Sequence, residues 1–347
     1  MKRREFLTAT AAAATTLAIA PPIRAANPTR RLRAGFLGGA HSHASAKWRL
    51  VRESPDYTLI GLAEESATVR AEYATQGAKF LPPDELLTAC EVVFVESAVA
   101  DHARHALMAL RAGKHVHVEK PPADNLRDVE EMARLAREKQ LVLQVGYMWR
   151  YHPGFAAIFE LVRQGWLGQV YLVRGMIGNQ LGSERRPEWA AFAGGGLFEL
   201  GSHLVDALVR LLGEPRAATP FLRKHGDFAD DLKDNNVVVF EFPKATGLIL
   251  NATLQPNAGP QRVFEVFGTN GRATLRPIEP PALEIELAQA AGPYPAGLNR
   301  VPMPTYDRYV ADLAELAAVV RGDRRLSVTP DEELRVQRWL LRASGMG

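Results

Sequence analysis

Between residues 32 and 145 the sequence alternates short β-branched runs with amphipathic stretches, and no other feature narrows the fold as much. Apparent strands fall at 32–37, 57–63, 92–95, 115–118 and 141–145, with helical spacing between them at 103–111 and 125–139. Gly113 closes the first of those helices as a C′ glycine. About six strands in this rhythm make an α/β, doubly wound parallel sheet, with ligands at the carboxyl ends of its strands.

Past Tyr151 the rhythm changes. A helix at 154–164 and a strand-like run at 170–177 lead into a glycine-rich stretch and an amphipathic helix at 197–212. Runs at 237–242, 247–254, 263–267, 273–275 and 283–287 read as antiparallel strands, with Asn270-Gly271 as a tight hairpin turn. Helices at 309–321 and 329–343 follow, the last expected to return to the first domain. Single cores stop growing at about 250–300 residues, so two domains are expected, at 29–150 and 151–347.

Residues 1–28 read as an address. Lys2-Arg3-Arg4-Glu5-Phe6-Leu7 is a twin-arginine pattern, followed by a weakly apolar Ala/Thr run and the small residues Ala25-Ala26. The expectation is export through the twin-arginine translocase to the periplasm or another extracytoplasmic space. No stretch reads as a stable membrane span. Residues 1–25 hold four of the 42 basic residues and one of the 39 acids, so the +3 charge belongs to the leader and the rest balances. A nucleic-acid partner needs a basic stripe that survives cleavage, and none is seen. The single cysteine, Cys90, excludes an intrachain disulfide and is expected to pack in the core.

The first strand ends in Gly38-Gly39-Ala40-His41-Ser42-His43, where a dinucleotide turn belongs. A G-x-G-x-x-G frame fits at Gly38, with Ala40 and His43 at its other two glycine positions. Glu64 ends the second strand, where an acid accepts bonds from the adenosine ribose. Glu65 adds charge, and no Arg stands immediately beside the pair, which favours NAD over NADP.

The segment Gly113-Lys114-His115-Val116-His117-Val118-Glu119-Lys120-Pro121 ends a helix, forms a strand and closes on Glu-Lys-Pro. With Arg150-Tyr151-His152-Pro153 and the run from Gly194-Gly195-Gly196 through Glu199 to His203, it resembles the glucose–fructose oxidoreductase/inositol dehydrogenase (Gfo/Idh/MocA) family. The resemblance implies a Rossmann domain followed by an α+β domain with a large, open, mostly antiparallel sheet. It implies an NAD cofactor, which export of a folded chain would require to be tightly bound, with Lys120 on the reacting carbinol and often a cis bond before Pro121. His203 is the implied general base, and Glu199, where the family usually has Asp, is expected to share its helix face and orient it. Ser97, His102 and Glu119 join Gly38, Gly39, Ala40, His41, His43, Glu64 and Lys120 as cofactor-side candidates. Arg150, Tyr151 and His203 are the substrate-side ones. Histidines recur at spacing two in His41/His43 and His115/His117, but no neighbouring acid or Cys completes a ligand set, so no metal is expected. Three readings stay open: a sugar or polyol dehydrogenase, a redox-neutral glycosidase or lyase working through a transient keto-sugar, and a non-catalytic periplasmic sugar-binding protein. The exposed open sheet implied by the resemblance suggests a homo-oligomer.

Overall fold

The computed structural model describes residues 30–347, and the expected leader lies outside the described residues. Residues 31–347 form one compact unit. Its first part alternates β1 (Leu32–Leu37), α1 (Ala44–Glu53), β2 (Tyr57–Ala63), α2 (Ala67–Thr75), α3 (Pro83–Ala89) and β3 (Val92–Val95). Then come α4 (His102–Arg111), β4 (His115–Val118), α5 (Leu126–Glu138) and β5 (Leu143–Val145). The five strands are parallel, in the order β2-β1-β3-β4-β5. The remaining strand of the expected six or so is reduced to one parallel bridge, Leu62 to Phe80. β1 is buried everywhere except Arg33, as a strand covered on both faces must be. In α5 the Asn125 side chain accepts the Asp128 amide at 3.0 Å, while Val129, Met132, Ala133 and Ala136 bury one face. Cys90 is 1 % exposed, packed under β1 as core.

The second part opens with α6 (Pro153–Arg163), β6 (Val170–Gly178), α7 (Arg186–Ala190), a π-helical turn (Leu197–Gly201) and α8 (Ser202–Leu212). Strands β7 (Ala217–Arg223), β8 (Asn235–Glu241), β9 (Thr246–Ala252) and β10 (Val263–Gly268) follow. β11 (Gly271–Leu275), β12 (Leu283–Leu287) and β13 (Gly297–Val301) complete an eight-stranded sheet of order β13-β12-β11-β10-β6-β9-β8-β7. All its pairs are antiparallel except β6 with β9. β12 alternates buried Leu and Ile with exposed Glu, the mark of a sheet covered on one face. Gly268 pairs with Gly271, so the hairpin turns on Thr269-Asn270, one residue before the expected position. The sequence pattern misses β7 and β13 because both are edge strands with little buried surface and therefore little alternation.

The chain then returns, as expected, through α9 (Val310–Arg321) and α10 (Pro330–Ala343). Thr329 and Glu332 form a reciprocal cap on α10, which packs on both α5 and α8. The Tyr57 hydroxyl donates to the Leu313 carbonyl at 2.7 Å, and Gln337 Nε2 donates to the Ala123 carbonyl at 2.5 Å. The C-terminal helices thus help cover the parallel sheet, and clamp the two sheets around the carboxyl ends of β1, β3 and β4.

Candidate active site

Gly38 has φ +77°, and a Cβ there would stand 2.4 Å from the Ser97 Cβ, so the turn can pass β3 only as glycine. Its successor, Gly39, donates its amide to Glu64 Oε2 at 2.9 Å, which ties the turn to the end of β2. Gly38, Ala40, Glu64 and Ser97 line a cavity of about 530 Å³ where the β1 and β3 crossovers diverge. The amides of Ala40 and Ser42 make no hydrogen bond among the described residues, and the buried Ser97 hydroxyl is also without a partner. Open amides at the start of α1, a roomy cavity and an acid at its edge fit the adenosine and pyrophosphate of a dinucleotide. Arg70 and Arg104 line this cavity too, brought in from α2 and α4. The expected lack of arginine beside Glu64 and Glu65 therefore holds along the chain and not in space.

Beneath the turn lies a buried charged cluster that the sequence reading misses. Lys47, fully buried on α1, places its ammonium 2.9 Å from Glu96 Oε1 and 2.6 Å from His117 Nε2, and directly on Glu119 Oε1. Because His117 Nε2 faces an ammonium it must accept, so Nδ1 donates to Gln144 Oε1 at 2.7 Å. His43 Nδ1 sits 3.0 Å from Glu119 Oε1, and His41 Nδ1 is 3.8 Å from the other oxygen. Burial opposes the charge on Glu119, yet Lys47, His43 and His41 hold it well below the usual carboxylate range. Burial drives His41 down to about 3 against the pull of Glu119. Ligand atoms of His41, His43 and Glu119, and of Glu96, His117 and Glu119, lie within 4.8 Å of one another, a convergence that spacing along the chain does not reveal. The cation in this cluster is Lys47.

The cis Lys120-Pro121 bond, implied by the resemblance, is present. Lys120 is 1 % exposed, and its ammonium donates to Glu199 Oε1 at 2.6 Å and to the Glu199 carbonyl at 3.0 Å. Both residues line a second cavity of about 110 Å³ together with Ser42, His43, Trp149 and His203. The turn thus runs between the two cavities, with Gly38 and Ala40 on the larger and Ser42 and His43 on the smaller. The His203 imidazole makes no hydrogen bond among the described residues, and its ring packs 5.0 Å from that of Trp149. Burial, and then the Lys120 charge, push His203 well below 6.5, so it stands as a neutral base.

The expectation that Glu199 orients His203 needs correction: its carboxylate binds Lys120. Shared-face spacing assumed an α-helix, whereas residues 197–201 form a π-turn that breaks the i,i+4 relation. Arg150 and Tyr151 also fall elsewhere. Arg150 forks between Asp206 and Glu333, and the Tyr151 hydroxyl donates to Glu315, so both bridge elements of the interior. His102 is fully buried between the carbonyls of Pro121 (2.8 Å) and Ser97 (3.0 Å), with its one N–H as a neutral imidazole donated to one of them, and it lines neither cavity. Spacing does carry one hint of the missed cluster: Lys47 stands in the buried stripe of Ala44, Trp48 and Val51.

Residues 32–147 match a family model described as an oxidoreductase family with an NAD-binding Rossmann fold, and residues 155–274 match the GFO/IDH/MocA C-terminal domain. Scyllo-inositol 2-dehydrogenase (NADP(+)) IolW of Bacillus subtilis is 28% identical over 52% of this chain and 50% of its own length. Trans-1,2-dihydrobenzene-1,2-diol dehydrogenase of Bos taurus is 30% identical over 53% and 54% respectively. The chain therefore spans about half the length of these curated relatives. GenD2 from gentamicin A biosynthesis, solved in complex with NAD, superposes with a TM-score of 0.78 at 25% identity, covering 95% of this chain and 97% of that one. Matched in order over both of its parts, the chain belongs to the Gfo/Idh/MocA oxidoreductase family.

Proposed function

We propose that the protein is an NAD(P)-dependent oxidoreductase acting on a carbinol of a sugar, polyol or glycoside. One observation carries this reading: a single cavity holds the Glu199-bound ammonium of Lys120 and the unbonded imidazole of His203, directly beside the dinucleotide turn. A nicotinamide dinucleotide held by that turn and by Glu64 would supply the hydride acceptor. Lys120 donates a hydrogen bond to the substrate oxygen and stabilises the developing alkoxide charge. His203, neutral at pH 7, takes the hydroxyl proton. Glu199 aims Lys120, and the Trp149 indole supplies an apolar wall against the sugar ring. By their names, both curated relatives are dehydrogenases of ring compounds bearing hydroxyl groups. The paired acids Glu64 and Glu65 favour NAD, while Arg70 and Arg104 on the same cavity suit a 2′-phosphate, so both cofactors belong in the assay. The twin-arginine leader supports a further part of the proposal, that the cofactor is loaded before export and held tightly.

The test is turnover by purified protein on a panel of inositols, hexoses and aryl glycosides with NAD and with NADP. Dinucleotide carried through purification is measured separately by absorbance at 260 nm after denaturation. Net NAD(P)H formation supports the proposal, whereas aglycone release without it marks the redox-neutral course. Lys120→Met is expected to lower kcat by about 10²–10³ while dinucleotide binding persists. Full turnover in that variant would remove the role given to Lys120.

A further inference from the structure

The cavity around Lys120 and His203 carries more positive charge than hydride transfer from a neutral sugar uses. Arg185, just before α7, Arg262, just before β10, and Arg308, just before α9, all line it. Among the described residues Glu199 is its one lining carboxylate, and that carboxylate is bound to Lys120. Arg185 reaches Glu188 at 3.3 Å, and Arg308 pairs with Glu279. Arg262 has no such partner: no carboxylate lies within 4 Å among the described residues. Among the described residues the one hydrogen bond of its side chain runs from Nε to the Gly178 carbonyl at 3.1 Å, which leaves both terminal nitrogens of the fork open.

That position is rigid and electrostatically uncomfortable. Arg262 adjoins Val263, which pairs with Met176 in the sheet, and its Nε is held at the end of β6, so the guanidinium is anchored on strands. Burial, and then the neighbouring Arg308 charge, hold its pKa below the usual arginine value, with Glu279 pulling the other way. A partly buried cation beside a second cation is stabilised when a ligand brings the missing negative charge. The planar fork of a guanidinium matches a carboxylate or a phosphate, and Trp149 and Trp189 add apolar edges to the same cavity.

We propose that the substrate is an anionic sugar or polyol, with its carbinol on Lys120 and His203 and its carboxylate or phosphate on Arg262. The inference rests on the reading that this cavity takes the carbinol substrate, and it names the chemical class of that substrate. Calorimetric titration of the purified protein with glucuronate, gluconate, glucose 6-phosphate and glucose tests it without requiring turnover. At least one of the three anionic ligands is expected to bind tenfold or more tighter than glucose, and the gap is expected to narrow as salt is raised. A preference for the two carboxylates marks a sugar acid, and a preference for the phosphate marks a phosphate ester. Arg262→Gln is expected to erase the gap by weakening the anions at least tenfold more than glucose, and Arg262→Lys to restore part of it. Glucose binding within twofold of all three anions overturns the inference, as does an intact gap in Arg262→Gln. Titration with NADH, followed by its fluorescence, separates the outcomes. Loss of dinucleotide binding with the anion preference intact sinks the redox reading and leaves the anion site standing.

Discussion

Replacing Lys47 by Met removes the one ammonium among Glu96, His117 and Glu119 while keeping a chain of similar length in the core. Lys47, Glu96 and Glu119 have fully buried side chains, so water cannot take over from the lost charge. Burial already pushes Glu96 up against the pull of Lys47, which means that its inclination to hold a proton is shared by both proteins. The difference therefore falls on Glu119, held well below its ordinary 4.5 in the wild type. Without Lys47 its least costly response is to bind a proton, and protonating a carboxylate of that ordinary pKa at pH 7 costs about 3 kcal/mol. At pH 5 the same step costs less than about 1 kcal/mol. The signs agree. A depressed Glu119 stabilises the wild type above pH 4.5, and this contribution is lost as pH falls through the folded value. A raised Glu119 makes the variant lose stability as pH climbs above 4.5. The gap between the two proteins must therefore widen from pH 5 to pH 7. Urea unfolding at both pH values, followed by tryptophan fluorescence, measures it. A loss below about 1 kcal/mol at pH 7, or a loss independent of pH, would refute the reasoning.

Two further outcomes follow from the geometry. Because burial and the Lys120 charge keep His203 deprotonated below its usual range, the acid limb of kcat/KM is expected below pH 6.5, with activity retained at pH 6. A limb centred above 6.5 in a pH–rate profile would assign the base to another group. Gly38→Ala combines a left-handed φ, worth about 1–2 kcal/mol, with a Cβ 2.4 Å from that of Ser97. It is expected to lower Tm and abolish dinucleotide binding together, and wild-type values for both would show that the turn does not pass β3 so closely.

The parallel sheet was legible because its strands are short, mostly buried runs rich in Val, Leu and Phe, set off from each other by amphipathic stretches. Four of the five strand ranges coincide with the expected ones, and β5 begins two residues later. Lys120 and His203 were legible for a different reason, since a resemblance carries whole motifs. What escaped depends on contacts between distant segments. Glu199 stands at the expected place, but its partner was set by a π-turn that no apolar period announces. Arg150 and Tyr151 look like cleft residues in sequence, and their partners Asp206, Glu333 and Glu315 arrive from α8, α10 and α9. Arg185, Arg262 and Arg308 lie outside the regular elements, where periodicity says nothing about direction.

The departures from the glycine frame take on a physical meaning once these contacts are set together. Ala40 is exposed at the lip of the larger cavity, so its methyl group occupies no space that the turn itself needs. His43 stands where the frame calls for glycine, and its imidazole lies against Glu119, whose other oxygen accepts the Lys120 amide at 2.9 Å. The ring therefore links the dinucleotide turn to the strand end that presents Lys120, through one carboxylate that Lys47 also holds. A glycine at that position would leave Glu119 one partner fewer, with His41 and Lys47 remaining to join the turn and α1 to the end of β4. The substitution that most weakens the motif in sequence is thus a structural connection between cofactor side and chemistry side. It also places an imidazole on the wall of the smaller cavity, beside Lys120 and His203, where the glycine of the dinucleotide frame would have no side chain.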